Sequence, residues 1–466
     1  MLKSFIGIDI GTTVSKGVLL SETGELLHEY QMQHMYSDER DYAECWWEES
    51  CTILRNLIAN LKNESELVSI TVSAMAPNLI MLDDSGNIVD KTVLFTDDFA
   101  ISKQQELDIA EGTKWKNETL SKLIILKKQS TRWKSVRKVL TTHCFIGYRL
   151  TGSMYCDTAT AYEYGNVFDD QLRIWNEKLL CQHKLTPSIF PELVSPISTV
   201  GKVSKDIAKL LGISTDVIVV AGSHDSIASM IGAGLFQKDD QLIYYGTFNC
   251  SAVIRESIPD ILLGNTSKSP IEWTSSIPDS GPQFTAMCKL LLGEENYAKF
   301  DEMALMSSPG ANGIIFLQNP QLMKTSISSK SSGFFCNLSK DISLSDMCRA
   351  VYESFPYGVH AFWETLNDFN YPKECYAAGG GTRSKVRMQI VSDILGIEQY
   401  KLKHAENAVG TALIGMASYD FNNFFTVQRK RKNHADKIVN TSKHDELYKE
   451  ALCKYRTLLS CYNNFK

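Results

Sequence analysis

The chain has 466 residues, of which 44% are hydrophobic, 22% charged and 10% aromatic. That length allows two or three domains with cores large enough to need no disulfides, and the composition excludes a disordered chain, a collagen and a bundle of membrane helices. With 48 Lys and Arg against 54 Asp and Glu, the net charge is −6, without the basic surplus of a general nucleic-acid binder.

The first residues, Met1 to Thr13, lack the basic stretch and long apolar core of a secretory leader. No run approaches the roughly 18 apolar residues of a membrane span. The 12 cysteines are scattered and form no C-x-x-C pair, which argues for free thiols in a reducing cytosol. A cytoplasmic protein is expected.

Residues 4–30 read as three β segments, at Phe5 to Ile10, Val14 to Leu20 and Glu25 to Tyr30. Turns at Gly11-Thr12-Thr13 and at Ser21 to Gly24 join them. Helical spacing then runs from Cys45 to Leu61, where Trp46, Ile53, Leu54, Leu57 and Ile58 share a face. Val68 to Val72 is a strand, and Asp83 to Asn87 a hairpin turn. Strands mixed with helices in this way suit an α/β fold. Val217 to Ala221 reads as a buried strand, after which Gly222-Ser223-His224 turns and Asp225 opens a helix. Leu242 to Tyr245, Gly246-Thr247 and Cys250 to Arg255 repeat the strand, Gly-Thr turn and strand of the N-terminus. Aligning Gly246 with Gly11 pairs Thr247 with Thr12 and Val253 with Val18, as two similar halves would. A last strand at Glu374 to Tyr376 leads into Gly379-Gly380-Gly381 and a helix from about Lys385 to Leu395. The basic run Arg429 to Lys432 reads as a solvated turn.

Three of these places can carry chemistry. Asp9 ends a buried strand, and the turn after it offers backbone N–H groups, two hydroxyls and a glycine without Cβ. Such a turn can cradle phosphate while the carboxylate holds Mg²⁺ directly or through water. It is not a P-loop, which needs G-x-x-x-x-G-K-S/T and then a helix; here a strand follows. Asp225 at a helix start is either a cap or a general base that takes a hydroxyl proton as a phosphoryl group transfers. His224 reads as structural. Gly379, Gly380 and Gly381 either form a plain turn or permit close approach of a flat ligand.

Together these elements resemble the FGGY carbohydrate kinases, in that family's order. Further matches are Trp46-Trp47, Tyr148 to Gly152 with Asp157, Pro309 to Leu317, Arg349 to Glu353, Gln389 with Asp393, and Ala408 to Ala412. The resemblance implies an α/β fold of two actin-like, ribonuclease H-like domains with a central cleft. The expected domains are 1–237, with sugar site and base, and 238–466, with the nucleotide site. It implies ATP and Mg²⁺ as cofactors. Asp9 would organise the metal. Gly11, Thr12 and Thr13 would contact phosphates, as would Gly246 and Thr247. Gly379, Gly380, Gly381 and Ser384 would serve the adenosine side. Asp225 would be the catalytic base. The sugar would meet Ala74, Met75, Asn78, Asp97 and Asp98. Phe99 or Ala100 stands where the family commonly has an Arg, and Met323 to Ser326 replaces its G-e-R-x-P stretch.

The reading is a cytosolic ATP-dependent kinase of a small sugar, with a ketopentose or ketohexose favoured and gluconate or another polyol next. Asn78, Thr96, Asp97 and Asp98 suit several hydroxyls, and adjacent carboxylates would repel a sugar phosphate. A non-catalytic sugar or nucleotide sensor on the same fold is the alternative, and a motion-coupled ATPase a third. The expected partner is the small-molecule sugar, with no nucleic acid and no membrane. Association into a homodimer is left open.

Overall fold

The computed structural model describes residues 2–36, 39–62, 65–111, 118–245, 249–266, 269–273, 280–318, 333–402, 407–432, 436–438 and 445–464. Gly246, Thr247 and Met323 to Ser326 lie outside the described residues. The chain forms two compact units. One comprises Met1–Phe236, Glu256–Pro270 and Glu406–Asn433, the other Gln237–Arg255, Ile271–Ala405 and His434–Lys466. The first cut falls one residue from the boundary expected at 237, but residues 256–270 and 406–433 then return to the first unit. The units are therefore not two continuous halves.

In the first unit, Leu2–Ile10, Val14–Ser21 and Leu26–Gln33 form an antiparallel meander. Leu2–Ile10 also pairs in parallel with Ser65–Ala74, which pairs in parallel with Ile218–His224. Thr199–Lys202 closes that edge antiparallel, giving a six-stranded sheet. In the second unit, Gln241–Tyr245, Asn249–Ile254 and Ile271–Trp273 make the meander. Gln241–Tyr245 pairs in parallel with Glu374–Ala378, then comes Glu398–Lys401 in parallel and Asp436–Ile438 antiparallel. The two sheets thus share one strand order and one pattern of directions, so the repetition seen in the sequence is architectural.

The first sheet is covered on both faces, which is why Phe5, Ile6, Ile8 and Ile10 are all buried on one strand. Tyr42–Ala59 packs on one face through Ile53 and Leu57, whose side chains fill the place that a Cβ on Gly17 would occupy. This helix starts three residues earlier than its apolar spacing implied. The reason is Asp41, whose side chain accepts from Ala43 N–H at 2.9 Å and caps the first turn.

Asn407–Tyr419 covers the opposite face, although it lies more than 330 residues further along the chain. Its approach is set by missing side chains. A Cβ on Gly7 would lie 2.2 Å from Ala408 O, and one on Gly410 would lie 1.8 Å from Ala228 O in the Asp225–Ala233 helix. We predict that Gly410→Ala destabilises the protein by about 2 kcal/mol, the usual range for forcing an extra methyl into a close contact. Urea unfolding measures it, and an unchanged midpoint contradicts so close an approach.

Candidate active site

Asp9 and Asp225 stand at the C-terminal ends of the two parallel strands that flank Ser65–Ala74. Asp9 lies opposite Ser73 in the register, and Ser73 lies opposite Ser223 on the next strand. Two strand spacings, about 10 Å, therefore separate the backbones that carry the two carboxylates. The Ile218–His224 strand gains one residue between Val220 and Ser223. Gly222 occupies this bulge with φ +72, where a Cβ would meet Val72 O at 2.0 Å. The bulge places Asp225 directly after the last strand residue, as the first residue of its helix, and His224 takes the cap position. Asp225 is thus not the N-cap.

Both carboxylates are poorly solvated. Burial pushes Asp9 up to about 7, with the nearby Asp225 adding to the effect and the Ser73 hydrogen bond opposing it. Burial likewise pushes Asp225 up to about 6. Ser73 Oγ donates to Asp9 Oδ1 at 2.7 Å and lies 2.6 Å from Thr411 Oγ1. Two desolvated carboxylates in electrostatic contact suit a divalent cation, which would relieve their repulsion.

The turn itself is open. Thr12 and Thr13 are exposed, and Gly11 N–H bonds Val14 O at 3.1 Å. A support beneath it was not visible in the sequence. His34 Nε2 meets Gly11 O at 2.9 Å, His34 Nδ1 meets Glu49 Oε2 at 2.8 Å, and Ser15 Oγ donates to the same Glu49 oxygen at 2.6 Å. Burial disfavours a charge on His34, but the Glu49 carboxylate and the Gly11 carbonyl outweigh it and hold its pKa above the usual value.

The expected sugar loops lie in the same unit. Ala74 and Met75 are buried at the end of their strand. Asn78 is fully buried, and its amide is occupied: Oδ1 accepts from Phe95 N–H at 2.9 Å, and Nδ2 donates to Thr142 Oγ1 at 2.9 Å. It thus holds the loop from below. Asp97 is half-buried and accepts from Leu94 N–H at 2.8 Å, while Asp98 is exposed. Lys122, which carried no sequence signal, reaches this loop. Its Nζ donates to the carbonyls of Leu94 and Phe95, each at 3.0 Å.

In the second unit, Gly379 has φ +94 and packs against Tyr245, whose carbonyl oxygen a Cβ would meet at 2.5 Å. Gly380 faces open space. Ser384 caps the Lys385–Leu395 helix, accepting from Arg387 N–H at 3.0 Å and donating to Asp301 Oδ1 at 2.6 Å, so its hydroxyl is structural. Arg387 is buried under the Gly381 backbone and boxed by Tyr245, Phe284, Tyr352 and Phe355, with its guanidinium carbon 5.2–6.0 Å from the ring centres.

Residues 4–232 match the model of the N-terminal domain of the FGGY family of carbohydrate kinases, and residues 279–419 the model of its C-terminal domain. The chain is 24% identical to the xylulose kinase of Staphylococcus xylosus, over 97% of this chain and 99% of the relative. Its fold is similar to crystal structures of xylulose kinase from Rhodospirillum rubrum, with TM-score 0.87, 22% identity and 99% of each chain covered. It is equally similar to gluconate kinase from Lactobacillus acidophilus, with TM-score 0.87, 19% identity and 100% of each chain covered. No helix among the described residues is long and apolar enough to cross a membrane. Two domain models covering most of the chain, on an actin-like α/β fold with paired carboxylates at its strand ends, make this protein a member of the FGGY family of carbohydrate kinases.

Proposed function

We propose that this kinase uses Asp225 to take the proton from a ketopentose hydroxyl as the γ-phosphate of ATP passes to that oxygen. The observation that carries the reading is the Asp9 and Asp225 pair at the strand ends beside the Gly11 turn. A base must be ionised at working pH and yet basic enough to accept a proton, and a carboxylate lifted to about 6 meets both demands. The γ-phosphoryl group leaves ADP and bonds to the sugar oxygen, while the hydroxyl proton goes to an Asp225 oxygen.

Mg²⁺, when bound with the nucleotide, neutralises phosphate charge. On this reading Asp9 holds the ion, oriented by Ser73. Gly11 allows close approach of the phosphates, and Thr12 and Thr13 offer N–H and hydroxyl donors to them, with the turn held by His34 from below. Gly246 and Thr247 are assigned to the phosphates as well. Gly379, Gly380 and Gly381 are assigned to adenosine, and Ser384 acts through the helix that it caps. Asp97 and Asp98 are assigned to sugar hydroxyls, with Ala74 and Met75 as apolar wall and Asn78 as the loop's anchor. The ketopentose rests on relatives that carry the name xylulose kinase over nearly the whole chain, and on a loop rich in acceptors. ATP use and free thiols support a cytoplasmic location.

Asp225→Asn should lower kcat by about 10²–10⁴-fold with unchanged folding, since an amide cannot accept the proton. In the parent enzyme kcat should fall as pH drops below about 6, because protonation removes the base. Near-normal turnover in the variant would make Asp225 structural only. Asp9→Ala should weaken metal-dependent turnover and leave sugar binding nearly intact. Calorimetry in metal-free buffer checks this, and an equal loss of sugar affinity there contradicts the assignment. Among xylulose, ribulose, fructose, gluconate and glycerol, a ketopentose should give the highest kcat/KM for ADP release. Gluconate or glycerol in first place overturns the substrate, and silence across the panel favours a sensor.

A further inference from the structure

Three of the last four residues of the Ile218–His224 strand are gripped by one segment, residues 155–160. Tyr155 Oη donates to Ala221 O at 3.2 Å, Ser223 Oγ donates to Asp157 Oδ1 at 2.9 Å, and His224 N–H donates to Thr160 Oγ1 at 3.0 Å. Asp157 Oδ1 also accepts from Thr160 N–H at 2.9 Å, so one oxygen orders both the strand end and the turn that holds it. The other oxygen faces His143 Nε2 at 2.8 Å. Asp157 and His143 are fully buried. Asp225 follows His224 immediately, and its carboxylate is met by the backbone and the hydroxyl of the next residue, Ser226, with Oγ at 3.3 Å.

We propose that Asp157 is a positioning residue for phosphoryl transfer: through Ser223 and Thr160 it fixes the backbone from which the Asp225 carboxylate reaches the sugar hydroxyl, with His143 as the buried counter-charge. This rests on the reading of Asp225 as the base. A buried carboxylate is costly unless it is paired and hydrogen-bonded, and here both Asp157 oxygens accept, which rigidifies the groups that donate to them. Burial opposes charge on both partners. The neighbouring Cys144 and Asp157 nevertheless hold His143 well above its ordinary value, and the His143 hydrogen bond holds Asp157 below its own, so the proton sits on His143. His143, Cys144 and Asp157 are also close enough together for a cation. The donors already on both Asp157 oxygens instead make the cluster a brace.

Asp157→Ala should lower kcat by about 10- to 100-fold, as misplacement of a catalytic group by about 1 Å does. KM for sugar and for ATP should stay within about twofold, because the fault is in the reacting geometry and not in ground-state binding. Asp157→Asn keeps an oxygen that accepts from Ser223 and Thr160, and its amide can donate to a neutral His143. It should recover most of the lost turnover. An Asp157→Ala enzyme that works as well as the parent overturns the proposal, and so does a joint loss of kcat and KM that Asn does not rescue. If Asp157→Ala fails to fold by circular dichroism, Ser223→Ala decides: it deletes one of these bonds, and kcat should still fall several-fold at constant KM. Unchanged kcat in that variant overturns the proposal. Asp225→Asn separates the two levels. If it turns over normally, the base assignment falls. If it is inactive while the Asp157 and Ser223 variants match the parent, only the positioning role falls.

Discussion

The approach of the Asn407–Tyr419 helix to the first sheet is the contact on which the site depends. Gly7 on the strand removes the side chain that would hold these backbones apart, and Gly410 does the same between this helix and Asp225–Ala233. Thr411 then comes within 2.6 Å of Ser73, and Ser73 bonds Asp9. A longer helix-to-sheet distance would leave Ser73 with one partner and Asp9 with a looser hold. Close packing here is therefore a condition of the electrostatics.

Those electrostatics are built mostly from neutral donors, with Lys16 also favouring the ionised Asp9. Serine and threonine hydroxyls steady Asp9 without cancelling its charge. A lysine or arginine in their place would draw the carboxylate far below neutral pH and compete with a metal ion for it. Beneath the Gly11 turn, His34 is paired with Glu49 and bonded to the Gly11 carbonyl, which orders the backbone of the turn.

The two sheets use one strand order for different surroundings. In the first unit the strand ends present carboxylates. In the second, the turn after Glu374–Ala378, the counterpart of Ser65–Ala74, presents glycine backbone at Gly379, lying on Tyr245, with the Arg387 guanidinium enclosed by aromatic rings below it. Such a box keeps a cation buried at modest cost, because the ring faces replace part of its hydration. A shared architecture thus carries two chemistries through the residues at its strand ends.

Much was legible in the chain itself. Short apolar runs broken by Gly-Thr, Ser-Gly and Gly-Gly-Gly announced strands and turns, because local backbone preference and burial act over a few residues. The carboxylates at Asp9 and Asp225 were legible for the same reason, each standing where a strand pattern stops. The sequence could not say that Asn78 is a buried anchor, or that Ser384 is committed to a helix cap. Both are polar residues near a loop, and only their neighbours decide whether they face a ligand or the interior. Lys122, His34, Glu49 and His143 had no local signal, and Asp157 stood out only as part of the family pattern, since the partners that define their roles lie 14 to 34 positions away. Nor could the sequence assign residues 406–433 to the first unit. That assignment comes from a fit between a strand glycine and a helix some 400 residues later, and shape complementarity over such a separation exists only once the chain has folded.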